Sequence, residues 1–378
     1  MADSLNLGGL GPLSDAAKQK LGQSLLAWKL CGKCTANPSC TQLECPWSQA
    51  DCCDAFWNLY HRITVAYTPE CLGRRPALKS HEELLSMVEK IKSRKTIPRR
   101  TVLHKIFEAD QANSKKPPTA SDQNRVFNIV ASLNLLMDLG VLHDAGLMSS
   151  RKVTHAFWRD GVSAEGFIGE AFPKGPAYAL SHVEDMLPAL RADKLQKHAK
   201  LRFRATDDIR HHLLLDKKEK IVWVFHQMTA LRQRVSAADQ VTTADLLPKD
   251  LMLEVLDTIH LVLFPPLLGP QNLLAHLVRK DDWDKGLLSD VTASYRDNTD
   301  AVVSFPYFGN RLKELHIESQ SPTPHGWLQK RLVRRGNVYM LTLTMYGVLA
   351  AVALGFLTLV TTIFQSWVAW QQWKHPVH

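Results

Sequence analysis

The seven cysteines of this chain, Cys31, Cys34, Cys40, Cys45, Cys52, Cys53 and Cys71, all lie between positions 31 and 71, and none follows. Thiols gathered so tightly call for a local reason. In a reducing compartment that reason is more often metal ligation than disulfide formation. Cys31-x-x-Cys34 offers the two-thiolate bite that zinc accepts, and Cys40 and Cys45 complete a set of four donors for a structural zinc site. The second pair is split by four residues rather than two, so the spacing matches no standard finger. Unligated thiols in a small packed subdomain, and disulfides, stay open as alternatives.

A second polar set comprises Asp207, Asp208, His211, His212 and His226. Asp208 and His212 stand four residues apart, on one face if that segment is helical. A carboxylate so placed orients an imidazole for acid–base work or metal binding. The structural alternative is a short capped helix: Thr206 at its start, the aspartates against its positive end, and the histidines in its last turn. His226 then needs no special role. Recognised catalytic patterns are missing. His81–Glu82 has no second histidine four residues on, Gly161–Gly166 (GVSAEG) misses a nucleophile elbow by one residue, and Gly8–Gly9–Leu10–Gly11 leads to no Lys-Ser/Thr pair.

The strongest physical statement comes from the other end of the chain. From Gly336 to Trp373 there is no charged residue. A hydrocarbon core about 30 Å thick is crossed by about 20 apolar residues in a helix, so this stretch predicts one transmembrane helix over 337–373. Lys330, Arg331, Arg334 and Arg335 precede it and only Lys374 follows closely. The positive-inside rule then places the N-terminal body in the cytosol. Trp367, Trp370 and Trp373 crowd the far end, where indoles favour the headgroup zone. The expectation is a single-pass, tail-anchored membrane protein with the lipid bilayer as its first partner. Gly347, Ala351 and Gly355 recur on one face of the helix. Homodimerisation through that face is one reading, and ordinary small-residue content of a membrane helix is the other.

The body, ahead of the basic juxtamembrane linker at 321–336, has ordinary globular composition: the chain is 45% hydrophobic and 22% charged. The net charge of the whole chain, +9, suits an anionic leaflet as readily as nucleic acid. Residues 194–234 are rich in Lys and Arg, with Phe203 and Trp223 interleaved. The run Ile221–Phe225 is apolar throughout, however, as in a buried strand, which argues against a nucleic-acid surface.

Along the chain, 1–13 reads as a loose start and 14–75 as a Cys-rich helical subdomain. An α-rich body fills 76–320, with a small sheet around 201–226. Ser14 caps a helix to about Leu30, and a second runs from about Asp51 to Ala66. Ser80 and Glu83 form a capping box, and another helix starts near Arg99. Asp122–Leu139 reads as a strong helix stopped by Gly140. Ser163 opens a short helix to Phe172, and a helix over 181–200 is kinked or interrupted at Pro188. The stretch LRFRA is a strand, DDIRHHL a short helix, and LLLDKKEKIVWVFH a two-stranded hairpin. A helix over 248–264 starts with Pro248 in its first turn and ends at Pro265–Pro266. The fold class is mainly α, an α+β body with a small antiparallel hairpin sheet, plus one C-terminal transmembrane helix.

The segment from Lys200 to Gln233 resembles a pattern in a large group of uncharacterised filamentous-fungal membrane proteins. The pattern is Thr-Asp/Asn-x-ϕ-x-x-His-Leu, followed by a short strand that ends in Phe-His. Here the matching residues are Thr206, Asp207, His212, Leu213, Phe225 and His226; Ala205 stands where the group usually has Trp. The likeness extends from about Thr101 to Trp373 and leaves out the Cys-rich start. It implies a single-span membrane protein and supplies no catalytic residues. The expectation is a non-enzymatic partner-binding or scaffold protein at a fungal endomembrane. The alternative is a membrane-held enzyme or accessory protein of a natural-product pathway. A channel is disfavoured, because its one span carries no ionisable group.

Overall fold

The computed structural model describes residues 10–32, 45–47, 53–70, 75–113, 117–141, 156–175, 185–238, 245–266, 269–280, 283–288, 295, 303–323 and 327–374. The chain divides into two compact units, Met1–Pro322 and Thr323–His378. The first is mainly helical with one small sheet; the second is a single long helix.

Polar caps start several helices of the first unit. Ser14 caps α1 (Asp15–Leu25) and Ser80 caps α3 (His81–Lys92). Thr119 caps α5 (Ala120–Leu135) and Ser163 caps α6 (Ala164–Ala171). Each cap side chain accepts a backbone N–H three residues on, which satisfies a donor the helix cannot. At α3 the reciprocal half of the box is displaced by one residue: Glu83 accepts from the N–H of Lys79 rather than Ser80.

The helix α5 is the hub of the N-terminal half. It packs against α2 (Asp54–Val65), α3 and α4 (Arg99–Asn113). Val126, Phe127, Ile129, Val130, Ala131 and Leu133 are all buried. Only its first half keeps an exposed side, at Ser121 and Arg125; every residue from Ile129 to Leu135 is buried. It stops earlier than Gly140. Leu136 takes a left-handed conformation at φ 50°, and its N–H bonds to the carbonyl of Ser132. Burial of Leu136, Met137 and Leu139 holds that turn closed, and Gly140 follows at φ 83° in a loop.

The helix expected over 181–200 is interrupted: 181–184 lie outside the described residues, and the rest forms two helices, α7 (Leu187–Leu190) and α8 (Ala192–Ala199). The break falls at Arg191, with ψ 137°, and not at Pro188. Pro188 occupies the first turn of α7, where a missing N–H is harmless.

The sheet joins β1 (Arg202–Thr206), β2 (Leu214–Asp216) and β3 (Ile221–Phe225) in the order β1-β3-β2. The expected hairpin is present, since β2 and β3 are antiparallel. In addition β1 pairs with β3 in parallel, Phe203 opposite Val222. Central β3 is buried at every residue, which explains its unbroken apolar run. The helix α9 (Met228–Ala238) packs on α10 (Lys249–Asp257), which continues as a π-helix over Thr258–Leu263. Pro248 sits at the N-cap of α10, one position earlier than expected. The helix α11 (Pro270–Lys280) contacts α8, and α12 (Gly309–Gln320) packs on α7, α8 and β2.

The second unit contains α13 (Trp327–Lys374), 48 residues without a break. The four basic juxtamembrane positions lie within this helix. Within it, the 28 residues Thr344–Gln371 are long and apolar enough to cross a membrane, and none of that window is buried. Val352 and Leu354 are each 65% exposed. The hydroxyls of Thr358, Thr361 and Thr362 bond back to backbone carbonyls three or four residues earlier. That satisfies polar groups which lipid could not.

Candidate functional site

His212 lies between β3 and the π-helix that continues α10. The backbone N–H of Phe225 donates to Nδ1 of His212 at 3.2 Å, which leaves the ring proton on Nε2. That nitrogen lies 2.7 Å from Oγ1 of Thr258, whose hydroxyl donates to the carbonyl of Val255. Both ring nitrogens are thereby engaged. His212 is fully buried, and burial, followed by the charge of Arg311, pushes its pKa well below the usual imidazole range.

His226 follows the same plan. The N–H of Asp284 donates to its Nδ1 at 3.1 Å, and Nε2 lies 3.0 Å from Oδ1 of Asp207. Asp207 also accepts from Gln227 and pairs with Arg62. Burial would raise its carboxyl, but the His226 contact, the Arg62 charge and the Gln227 amide hold it well below the usual carboxylate range. Asp284 is fixed in turn by the N–H groups of Thr229 and Gly286 and by the Thr229 hydroxyl.

Asp208, His212 and His226 therefore turn to three different partners. Asp208 caps the 3-10 turn Ile209–His211 by accepting from the N–H of Arg210, and it binds the Arg210 guanidinium at 2.5 Å. Its oxygen lies 3.9 Å from Nδ1 of His211. The carboxylate–imidazole pair at hydrogen-bond distance is Asp207–His226, just beyond the ends of β1 and β3, nineteen residues apart in the chain. Residues Asp207 and Asp208 were both in view in the sequence, but only the parallel β1–β3 pairing decides which faces a histidine. Thr206 also differs from the capping role considered: its hydroxyl accepts from the N–H of Asp208, and Asp208 is the cap.

A third buried imidazole, His260 in the π-helix, accepts from Arg232 at 2.7 Å. Burial, then the Arg232 charge, brings its pKa down to about 3. Tyr295 lies against that ring and donates to Asp257 at 2.9 Å. None of this is visible as local sequence spacing.

The larger of the two described cavities is a groove of about 570 Å³. It is lined by α6 through Ile168 and Gly169, by Phe172 just beyond it, and by Leu246, Leu247 and Tyr307. That volume suits a small ligand. Its ionisable lining residues all have partners: Lys95 pairs with Glu165, Lys174 with Asp250, and Asp245 with Arg234. The second cavity is lined by Arg125 and Asn128 beside Ala66 and Val141. Neither His212 nor His226 lines either cavity.

Of the four proposed zinc ligands, Cys45 is buried and Cys31 half-buried, both against the hydrophobic core. Cys34 and Cys40 lie outside the described residues. Among the described residues, no group of three His, Cys, Asp or Glu side chains is placed to hold a metal ion. Phe203 and Trp223, the aromatics of the basic stretch, are 4% and 8% exposed and so present no stacking platform.

No family model, curated protein or solved structure matches the chain. Thr206, Asp207, His212, Phe225 and His226 exchange hydrogen bonds around the end of the sheet, and buried Leu213 joins Trp223 at a left-handed turn.

Proposed function

We propose that this chain is a single-pass, tail-anchored protein of an endomembrane, whose helical body works at the cytosolic face as a partner-binding or scaffold module. The observation that carries this reading is the uncharged, uncovered helix Thr344–Gln371. Apolar surface of that length is stable in lipid and costly in water. The cytosolic orientation is supported by four cationic positions on one flank against Lys374 on the other. A binding rather than catalytic role is supported by His212 and His226, each of which commits both ring nitrogens to the fold. The small-residue face Gly347, Ala351 and Gly355 supports pairing with a second copy. Four thiolates at Cys31, Cys34, Cys40 and Cys45 form a donor set suited to structural zinc, which metal analysis of the reduced protein tests.

Protease treatment of sealed membrane vesicles carrying the full-length chain tests the topology. The body is expected to be digested from the cytosolic side, leaving a protected fragment that contains Thr344–Gln371. Protection of the body, or complete digestion of the tail, would contradict it.

A further inference from the structure

The helix α13 does not begin at the apolar run. It starts at Trp327 and carries the basic positions in continuous helical register with the span. At about 100° per residue, positions 330, 331, 334 and 335 fall within an arc of about 140°. All four are cationic. The positive-inside rule asks only for cations near a span and is indifferent to their angle around the helix. A shared face is an additional feature, and it concentrates four like charges within about two turns.

The axial position also matters. From Arg335 to Trp367 the helix measures about 48 Å at 1.5 Å per residue, and about 45 Å along the bilayer normal at an ordinary tilt of 20°. A bilayer including its headgroups is about 40–45 Å thick. With Trp367 in one headgroup zone, positions 334 and 335 reach the headgroup zone opposite, and positions 330 and 331 lie about 6–8 Å farther along the helix, within about a Debye length of that surface. Mutual repulsion among four cations is relieved by lipids with net negative charge, and zwitterionic heads supply none. Three of the four are arginines, whose guanidinium matches phosphate and carboxylate oxygens in pairs.

We infer that Lys330, Arg331, Arg334 and Arg335 form a binding stripe that selects anionic phospholipid headgroups from the surrounding leaflet. The inference rests on the membrane reading above and deepens it by naming the lipid class.

The test uses the full-length chain reconstituted in phosphatidylcholine vesicles, with spin-labelled phosphatidylserine or spin-labelled phosphatidylcholine as probe. The motionally restricted fraction of each probe is measured. Each charge near an anionic surface changes association by about five-fold at most. The wild-type chain is expected to prefer phosphatidylserine at least three-fold, with the preference falling in high salt. Combined Lys330→Gln, Arg331→Gln, Arg334→Gln and Arg335→Gln is expected to bring it to parity. Gln is a good helix former, so α13 persists. Replacing the three arginines by lysine is expected to keep most of the preference.

Parity in the inserted wild-type protein overturns the stripe and leaves the membrane reading standing. So does a preference that survives in the glutamine variant. Extraction of the wild-type chain by alkaline carbonate overturns both, so the two failures are distinguishable.

Discussion

Nε2 of His226 lies 3.0 Å from Oδ1 of Asp207, and this contact ties the last residue of β1's neighbourhood to the end of β3. The pair resembles an acid–base dyad in composition. In position it is a clamp, because Nδ1 of the same ring accepts the N–H of Asp284 and the carboxylate also holds Arg62 and Gln227.

Replacing Asp207 by Asn is therefore expected to lower stability by about 1.5–3 kcal/mol, the usual range for hydrogen bonds to a charged group. The pH dependence has a definite sign. The folded carboxyl titrates below its unfolded value of about 3.8. Its contribution is thus full above that value and is lost as pH falls through the depressed folded value. Urea midpoints measured down the acid limb should fall more steeply for the wild type than for the variant. Parallel curves would exclude the clamp.

Glu254 acts with the opposite sign. Its carboxyl oxygens accept the N–H groups of Tyr307 and Phe308 just ahead of α12, yet burial pushes its pKa up to about 7. The folded state holds the proton between pH 4.5 and about 7 while the unfolded state has released it. Stability from this group is greatest at low pH and falls as pH rises through that window. Glu254→Gln should flatten this slope while imposing a constant loss of about 1–3 kcal/mol for the weakened acceptor. The check is the difference in unfolding free energy between wild type and variant at pH 5 and pH 8.

Lys220 and Glu318 form an ion pair at 2.7 Å with side chains 6% and 4% exposed, joining the β2–β3 turn to α12. Removing one partner leaves a buried charge alone. Lys220→Met or Glu318→Gln should each cost about 3–5 kcal/mol. Changing both to apolar residues should recover much of that loss. A double-mutant cycle by chemical denaturation measures the coupling, and additive single losses would show that the pair is not coupled.

Gly22 on α1 faces the indole of Trp28, and a Cβ there would collide with its ring carbons. Trp28 is buried, packs edge-on against Trp47 and Trp57, and donates its indole N–H to Gln233. It has little room to give. Gly22→Ala gains about 1 kcal/mol of helix propensity but overpacks this cluster, which costs about 1–3 kcal/mol. A lower melting temperature and a shift in tryptophan emission are expected; an unchanged emission spectrum would contradict the contact.

Local signals in the sequence located the helix starts well. Ser14, Ser80 and Ser163 are caps because a hydroxyl can meet a bare N–H within three residues. Helix ends were less legible. Leu136 closes α5 in a left-handed conformation that its own residue type disfavours, and only burial explains it. Gly140 offered the better local signal and was not the end used. The β2–β3 hairpin was readable from its turn, whereas the parallel partner β1 depends on a contact that no local pattern encodes. The polar network was least legible for the same reason. His226 finds Asp284, and Glu254 finds Phe308, across more than fifty residues of chain. The long apolar helix needed no tertiary information, since its composition alone sets its preference for lipid.

Alkaline carbonate extraction of membranes bearing the full-length chain tests the central claim most directly. Retention in the membrane pellet is the predicted result, and a variant with Val352→Arg and Leu354→Arg should weaken it, because charge at mid-span opposes insertion. Release of the wild-type chain into the supernatant would contradict a membrane-spanning Thr344–Gln371 helix.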